Sequence, residues 1–212
     1  MDLSHLRENY SNEGLDESMV SPNPFAQFEK WFQEALQAQL PEPNAMVLST
    51  VDFLNKPHSR TVLLKGVENG HFLFFTNYHS HKAQQMHDNQ QVSLLFLWLE
   101  LQRQVKITGV VSKVSAEASD EYFYSRPIGS QIGAHVSQQS TNISSRKVLE
   151  DKLEELTLYY ENHPIKRPEH WGGYKIYPTT IEFWKGRPNR LHDRILYTRL
   201  ENNIWNISRL SP

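Results

Sequence analysis

The sequence of 212 residues contains no cysteine. This absence excludes disulfide bonds, thiolate metal sites, iron–sulfur clusters and cysteine nucleophiles together. No apolar run approaches the roughly 18 residues that a membrane-spanning helix requires. The N-terminal segment also lacks the basic and apolar regions of a secretory signal peptide. We therefore expect a soluble, cytoplasmic protein that does not bind membranes.

Glycine and net charge are scarce as well. The chain has nine glycines, and none of them forms a GxGxxG or GxxxxGK loop. A phosphate ligand would therefore have to be held mainly by side chains. The formal net charge of −2 argues against general electrostatic binding of nucleic acid. We find no HExxH-type spacing and expect no metal site.

Large aromatic side chains are plentiful, at 11% of the residues, within a hydrophobic share of 38%. A core built from them would depend on rings more than on aliphatic side chains. Residues 1–22 are polar and aperiodic, which predicts an arm that is mobile unless it docks. A helix is predicted from Pro24, with a core-facing stripe formed by Phe25, Phe28, Phe32, Leu36 and Leu40.

Short segments rich in β-branched and aromatic residues follow this helix. Strands are predicted over residues 45–52, 59–67, 71–77, 91–99, 103–115, 172–178, 180–186, 189–197 and 203–210. Helices are predicted over residues 80–89, 116–126 and 145–162, and a long polar loop over 125–144. Ser80 is the expected N-cap of the first of these helices, and Ser144 or Ser145 of the last. Many strands with few helices and no βαβ alternation predict a mainly β, α+β fold built on an antiparallel barrel.

Positive side chains lie near the ends of several predicted strands. Strand alternation places Arg60 and Lys65 on opposite faces of one strand, and Lys82 falls in the first turn of a helix. Arg126 belongs to the polar loop. For the strand cations, charges that only reach solvent are an equally good interpretation. Together, in a nearly neutral chain, these cations suit a small ligand that carries more than one phosphate.

A second basic pattern occurs near the C-terminus, in the segment GRPNRLHDRILY. Arg190, His192 and Arg194 recur at every second residue. If residues 189–197 form a strand, these three side chains share one of its faces. A positive row of this kind predicts a local binding surface.

Several short motifs occur in one order along the chain: RTVLLK, FFTN, SHKA, LQRQV, SRP, SQIGA, SQQS, WGG, IEFW and RLHDR. In this order they resemble the pyridoxine/pyridoxamine 5′-phosphate oxidase family, from about Leu6 to Pro212. The resemblance implies an FMN-binding split β-barrel that works as a homodimer, with FMN at the subunit interface. It implies one domain over residues 23–212, including the C-terminal dimerisation strands, preceded by an arm that can close over the substrate as a lid.

The activity implied by this resemblance is the oxidation of pyridoxine or pyridoxamine 5′-phosphate to pyridoxal 5′-phosphate. FMN would be the cofactor and O2 the electron acceptor, with release of hydrogen peroxide, and of ammonia from the amine. Two alternatives stay open from the residues alone. One is a split-barrel FMN oxidoreductase with another substrate, and the other is a non-catalytic protein that binds flavin or pyridoxal phosphate.

The resemblance also implies roles for individual residues. The expected FMN contacts are Arg60, Thr61, Val62, Leu63, Leu64, Lys65, Phe75, Thr76, His81, Lys82, Gln104, Gln139, Ser140, Trp184 and Arg194. The expected substrate contacts are Arg7, Tyr10, Lys65, Tyr122, Arg126, Ser130, Arg190, Leu191 and His192. Of these, Arg190 and His192 are the expected catalytic residues. His81 stands where the family usually has arginine, which predicts a weaker and pH-dependent contact with the FMN phosphate.

Overall fold

The computed structural model describes residues 1–6, 10 and 13–212. Its α-helices are α1 (Pro24–Gln37), α2 (His81–Asp88), α3 (Ala116–Ser125), α4 (Ile128–Val136) and α5 (Lys147–Tyr160). Its strands are β1 (Ala45–Val51), β2 (Pro57–Leu63), β3 (Gly66–Glu68), β4 (His71–Asn77), β5 (Gln91–Trp98), β6 (Arg103–Lys113), β7 (Trp171–Lys185), β8 (Asp193–Arg199) and β9 (Trp205–Arg209). None of the helices in these ranges is both long enough and apolar enough to cross a bilayer.

The strands form one antiparallel sheet, in which seven follow the order β2-β1-β5-β6-β7-β4-β3, while β8 pairs with β7 and β9 pairs with β8. β2 and β3 lie at opposite ends of this order, yet only Leu64 and Lys65 separate them in the chain. The sheet must therefore curl until its two ends meet. Lys65 N–H donates to the Leu73 carbonyl at 2.8 Å and ties this junction to β4. The predicted α+β fold built on a barrel is confirmed.

β7 is the strand at which the sheet branches. Its first half, residues 171–176, pairs with β4, and residues 180–185 pair with β8, while β6 runs beside both parts. The two strands predicted over 172–178 and 180–186 are thus one. A bulge in the β6–β7 ladder lies at Gly109, where an added Cβ would stand 2.2 Å from the Tyr177 carbonyl oxygen. Only glycine fits this close approach.

Helix α1 packs on the barrel through a face slightly different from the predicted stripe. Phe28, Trp31 and Ala35 are buried, and the Trp31 ring meets the Phe183 ring edge-on at 5.2 Å. Leu36, which we expected in the core, is 46% exposed. The true face follows positions 28, 31 and 35, because the indole of Trp31 fills the space above the sheet.

The segment before α1 is docked on the C-terminal strands from residue 13 onward. Leu15 and Val20 are buried in the main core. Leu15 N–H donates to Asp193 Oδ2 at 2.9 Å, and the Tyr197 hydroxyl donates to the Ser21 carbonyl at 2.6 Å. The arm predicted over residues 1–22 is therefore attached along its second half, and its role as a lid stays a prediction.

Three local predictions are wrong. The polar loop expected over 125–144 contains helix α4, and the residue at the N-cap position of α5 is Arg146 instead of Ser144 or Ser145. The strand expected over 189–197 begins only at Asp193. Residues 188–190 form a 3-10 turn in which Arg190 has a left-handed φ of 62°. Arg190, His192 and Arg194 therefore do not share the face of one strand.

Candidate active site

A cavity of about 620 Å³ lies where the ends of β2 and β4 meet helices α3 and α4. We call it the main cavity. Eleven of the predicted site residues line it: Thr61, Val62, Leu63, Lys65, Phe75, Thr76, Lys82, Tyr122, Arg126, Ser130 and Gln139. The structure thus brings residues from six separate segments into one place. Its size falls within the range of about 300–1,000 Å³ that is typical of small-molecule sites.

The charges that line the main cavity all have one sign. Lys65, Lys82 and Arg126 contribute to its wall, and the described lining includes neither aspartate nor glutamate. Cations gathered without carboxylates favour an anionic ligand, since no protein group neutralises them.

Lys82 is the most deeply placed of these cations. Its Nζ donates to Gln139 Oε1 at 2.8 Å, to Thr76 Oγ1 at 3.1 Å and to Ser80 Oγ at 3.2 Å. Burial, together with the nearby charge of Arg60, lowers the pKa of Lys82 to about 8. Since all three partners are neutral oxygens, the charge itself has no counterion here.

Arg126 is half-buried at the end of α3. Its guanidinium lies 4.5 Å from the centre of the Trp171 ring, and its buried Nη1 has no hydrogen-bond partner. Burial lowers the pKa of Arg126. A buried donor without a partner costs about 1–3 kcal/mol. An acceptor supplied by a ligand would remove that cost.

Aromatic rings form the wall next to Arg126. The rings of Phe75 and Tyr122 are stacked with their centres 4.0 Å apart, and both are roughly parallel to Trp171. These rings pack on a small buried cluster that includes Phe123 and Ala134. The wall is therefore rigid, and it holds the Tyr122 side chain beside the cations.

A second group of predicted residues lies elsewhere, around the paired strands β6, β7 and β8. It consists of Tyr10, Gln104, Trp184, His192 and Arg194, and we call it the C-terminal group. Trp184 is paired with Gln104 on β6 and with Arg194 on β8. The Trp184 and His192 rings are 4.7 Å apart, and the Tyr10 ring lies within 6 Å of both, at 5.9 and 5.6 Å. None of these five residues lines the main cavity.

The orientation of His192 is fixed by the turn before it. The backbone N–H of Arg187 donates to His192 Nδ1 at 3.1 Å. Because a backbone N–H can only donate, Nδ1 is unprotonated in this arrangement. Neutral His192 therefore carries its proton on Nε2. Arg190, in the same turn, is exposed and has the left-handed backbone described above.

Arg194 is held by a buried carboxylate. Its Nε donates to Glu182 Oε1 at 2.7 Å, and Lys106 Nζ lies 2.8 Å from the other oxygen of Glu182. Burial alone would raise the pKa of Glu182, but the hydrogen bonds from Arg194 and Lys106 outweigh it and lower the pKa. Arg194 thus has a structural partner, unlike the cations of the main cavity.

The remaining predicted contacts lie outside both groups. Arg60 donates to the Leu48 carbonyl, Thr50 Oγ1 and Gln85 Oε1, so its guanidinium is occupied inside the barrel wall. The Leu64 side chain is buried in the core. The other predicted contacts outside the two groups are His81, Ser140, Arg190 and Leu191, which are exposed, and Arg7, which lies outside the described residues.

Six lining residues escaped the sequence prediction: Asn77, Pro127, Gly133, Ala134, Ser137 and Trp171. Helix α4 explains part of this omission. Ser130, Gly133, Ala134 and Ser137 recur at intervals of three and four residues, and this spacing places them on one helical face. Because we predicted a loop over residues 125–144, we did not use this helical spacing.

Comparison with known proteins gives a consistent result. A model of the pyridoxamine 5′-phosphate oxidase family matches residues 32–160, and a model of the pyridoxine 5′-phosphate oxidase C-terminal dimerisation region matches residues 171–212. The chain is 54% identical to a pyridoxine/pyridoxamine 5′-phosphate oxidase of a Nostoc species over 99% of its length and 98% of that protein. It is 55% identical to the protein of the same name from Paraburkholderia phymatum, over 99% of each chain.

Solved structures agree with this result at the level of the fold. The crystal structure of PhzG from Burkholderia lata, in complex with tetrahydrophenazine-1-carboxylic acid, superposes with a TM-score of 0.88 at 25% identity. The superposition covers 95% of this chain and all of PhzG. A related FMN-binding protein from Nostoc punctiforme superposes with a TM-score of 0.71 at 16% identity, covering 91% of this chain and 100% of the other.

Proposed function

We propose, from the premise that this chain belongs to the pyridoxine/pyridoxamine 5′-phosphate oxidase family, that it oxidises pyridoxine or pyridoxamine 5′-phosphate to pyridoxal 5′-phosphate. FMN is the proposed cofactor and O2 the proposed electron acceptor. Each turnover would reduce one O2 to hydrogen peroxide, and the amine substrate would consume one water and release ammonia. The proposed working form is a cytoplasmic homodimer.

The observation that carries this proposal is the one-sided charge of the main cavity. Its three cations meet no carboxylate among the described lining residues, and Arg126 keeps a buried donor without a partner. FMN and both substrates each carry a phosphate, so two phosphates would meet the unneutralised cations. Because the chain has no glycine-rich phosphate loop, side-chain cations of this kind would have to bind the phosphates.

The residues of the main cavity fit FMN and its substrate in two sets. Lys82, Thr76 and Gln139 form a connected donor and acceptor cluster, which we assign to FMN. Lys65, Tyr122, Arg126 and Ser130 supply two charges and two hydroxyls, which we assign to the substrate phosphate. When bound, the flavin supplies the redox chemistry by accepting two electrons from the substrate and passing them to O2.

The C-terminal group can contact the ligands of a main cavity only if a second subunit is present. It contributes nothing to the lining of the main cavity of its own chain. Residues 171–212, which carry Trp184, His192 and Arg194, match the dimerisation region of the family. We infer that this group approaches the main cavity of the partner protomer, so that a homodimer has two complete sites.

The roles of Arg190 and His192 follow from their donors. The Nε2–H of neutral His192 can donate to the oxygen or nitrogen on the reacting carbon of the substrate, and Arg190 can orient that same substituent. Trp184 and Tyr10 pack against His192 and limit the access of water on that side. No covalent nucleophile is required of the chain, because the flavin carries the electrons.

The test is to mix the purified protein with FMN and pyridoxine 5′-phosphate in air. We expect a yellow protein that forms pyridoxal 5′-phosphate and hydrogen peroxide in equal amounts. A protein that binds FMN but forms no peroxide with either substrate would support the non-catalytic alternative. Oxidation of other compounds, but of neither B6 phosphate, would support another flavin oxidoreductase.

A further inference from the structure

We propose that the chain has a second anion site, beneath residues 13–19, which binds a small oxyanion such as phosphate or a carboxylate. The site is a cavity of about 350 Å³ between this N-terminal segment, helix α1 and the paired strands β6 and β7. We call it the arm cavity. Its charged lining residues are Glu13, Lys30, Glu34, Arg103 and Lys185. None of its lining residues belongs to the main cavity, so the inference does not depend on the proposed function.

Lys185 is the central feature of the arm cavity. Its side chain is only 8% exposed, and Nζ donates one hydrogen bond, to the Leu101 carbonyl at 3.1 Å. An ammonium group has three donors, so two are not used by this bond. The nearest carboxylate oxygen belongs to Glu13, which is 84% exposed, and lies at 3.9 Å, beyond hydrogen-bonding distance.

Two neighbouring side chains add further unused donors. Gln27 is 1% exposed; its Oε1 accepts from Ser21 N–H at 2.9 Å, but its buried Nε2 has no partner. Arg103 donates through Nη1 to Glu34, while its buried Nε has no partner. Both residues line the arm cavity together with Lys185. The buried groups left without partners are therefore all donors.

The balance of charge points the same way. Three cations and two carboxylates line the arm cavity, and Arg103 already occupies Glu34. Burial lowers the pKa of Lys185, as does the positive charge of Arg103, and these two effects outweigh the opposite effect of Glu13 and Glu34. A water molecule could accept two of the unused hydrogen bonds, but it would leave Lys185 with only the exposed carboxylate of Glu13, 3.9 Å away, to compensate its charge. An oxyanion offers several acceptor lone pairs and the compensating charge at once.

The position of the site also implies a consequence for the arm. Glu13, Gly14, Leu15 and Met19 form one wall of the arm cavity. A ligand that bonds to Lys185 and Gln27 would stabilise this segment against the barrel by binding only when the segment is docked. The anion should therefore protect residues 13–20 from proteolysis.

The probe is selenate, a phosphate-sized oxyanion whose selenium is located by anomalous scattering. Crystals of the purified protein soaked in selenate should show an anomalous peak within hydrogen-bonding distance of Lys185 Nζ and Gln27 Nε2. Calorimetric titration with selenate in solution should show a binding event that is separate from any in the main cavity. Comparison of variants isolates that event, since the main cavity is unchanged in all of them.

Two variants and one control decide the outcome. Lys185→Met keeps the apolar stem and removes the charge, and we expect its affinity to fall at least about tenfold, a loss of about 1.4 kcal/mol. Gln27→Glu keeps the acceptor for Ser21 N–H but replaces the free donor with a negative charge, and it should abolish the event. Lys152→Met removes an exposed lysine of α5 and should change nothing.

Three results would overturn the proposal. The first is the absence of a peak in the arm cavity. The second is a peak at crystal concentrations without a matching heat in solution, which would mean an adventitious ion only. The third is equal affinity in the wild type, Lys185→Met and Gln27→Glu proteins.

Discussion

The cations of the main cavity and those of the C-terminal strands lie in opposite surroundings. Lys82 and Arg126 face neutral oxygens and aromatic rings, without a carboxylate in the described lining. On the C-terminal strands, Arg194 pairs with Glu182 at 2.7 Å, and Arg209 pairs with Glu17 at 2.6 Å. Arg209 also donates to Asp193 at 2.7 Å.

This difference separates two uses of positive charge. A cation paired with a carboxylate of its own chain stabilises the fold, and the pair persists whether or not a ligand is bound. A half-buried cation without a counterion raises the free energy of the empty protein and returns that energy when an anion binds. Substitutions on the C-terminal strands should therefore change stability, and substitutions in the main cavity should change binding.

The largest expected effect is on stability, at the carboxylate that joins β6, β7 and β8. Glu182 is 3% exposed and accepts hydrogen bonds from Lys106 and Arg194. Glu182→Ala leaves two cations facing each other, and we expect the free energy of unfolding to fall by about 3 kcal/mol. Equilibrium urea denaturation measures this free energy.

The control is Glu150→Ala, which removes an exposed i,i+4 pair with Arg146 and should cost only about 0.5 kcal/mol. Similar losses in the two variants would contradict a stabilising role of Glu182 as a buried counterion.

The second largest expected effect is on substrate binding and not on stability, and it concerns Arg126. Arg126→Met removes the cation with the unpartnered buried donor. The Michaelis constant for pyridoxine 5′-phosphate should rise about 30- to 100-fold, because a hydrogen bond from a charged group contributes about 2–3 kcal/mol. The turnover number should change little, since the phosphate is bound equally in the ground and transition states. Arg146→Met, at an exposed position, is the matched control.

The same variant separates the two uses of charge within a single protein. Arg126→Met should change the free energy of unfolding by less than about 1 kcal/mol, because it removes an uncompensated donor together with a contact to Trp171. A stability loss equal to that of Glu182→Ala, with an unchanged Michaelis constant, would place Arg126 in the structural class instead.

The sequence predicts the barrel well, and the reason is visible in individual strands. β4 alternates half-buried and buried residues along His71–Thr76, and β5 alternates along Val92–Phe96. The residues themselves do not alternate, since β4 contains the apolar run FLFF and β5 the run LLFLW. Both strands are predicted from their content of large apolar residues and from the turns that bound them. Eleven of the residues predicted from the family motifs line one cavity in the structure. Strand patterns alone give no distances between these residues.

The sequence fails where tertiary packing decides the local structure. Helix α4 was predicted as a loop because Gly129, Gly133 and several polar residues occur in it, yet Ala134 packs against Phe123 and Trp171. These contacts are distant in sequence and stabilise a helix of weak intrinsic propensity. Arg190 misled the alternation argument in another way, since its left-handed φ of 62° ends the pattern before β8 begins. The turn at Arg190 has no periodic signature, and the helical spacing in α4 is too short and too rich in glycine to outweigh the loop interpretation.

The third prediction concerns pH and the main cavity alone. Burial and the charge of Arg60 lower the pKa of Lys82 from 10.5 to about 8. In the empty protein the unfolded chain therefore binds more protons between about pH 8 and pH 10.5, so Lys82 makes stability rise with pH across that window. Binding of an anion requires the protonated form. FMN affinity should change little between about pH 7 and pH 8 and fall above pH 8, by at most about tenfold per pH unit.

Quenching of flavin fluorescence at pH 7 and pH 9 measures this affinity. Lys82→Arg should remove the dependence, because a guanidinium stays charged across the range. Lys106→Arg is the comparison on the C-terminal side, where Glu182 already supplies the counterion. If both variants and the wild type show the same fall, another titrating group is responsible and Lys82 does not contact the phosphate.

The smallest expected effect tests an uncharged residue among those that we assign to the substrate phosphate. Ser130 lies on the face of α4 that lines the main cavity, and it offers one hydroxyl beside Arg126 and Tyr122. Ser130→Ala should raise the Michaelis constant for pyridoxine 5′-phosphate about fivefold, since one hydrogen bond contributes about 1 kcal/mol. Ser144→Ala, at an exposed position beyond α4, should have no effect. A rise equal to that of Arg126→Met would mean that the substitution has moved α4 itself. The ratio of the two Michaelis constants therefore distinguishes the loss of one hydrogen bond from a shift of the helix.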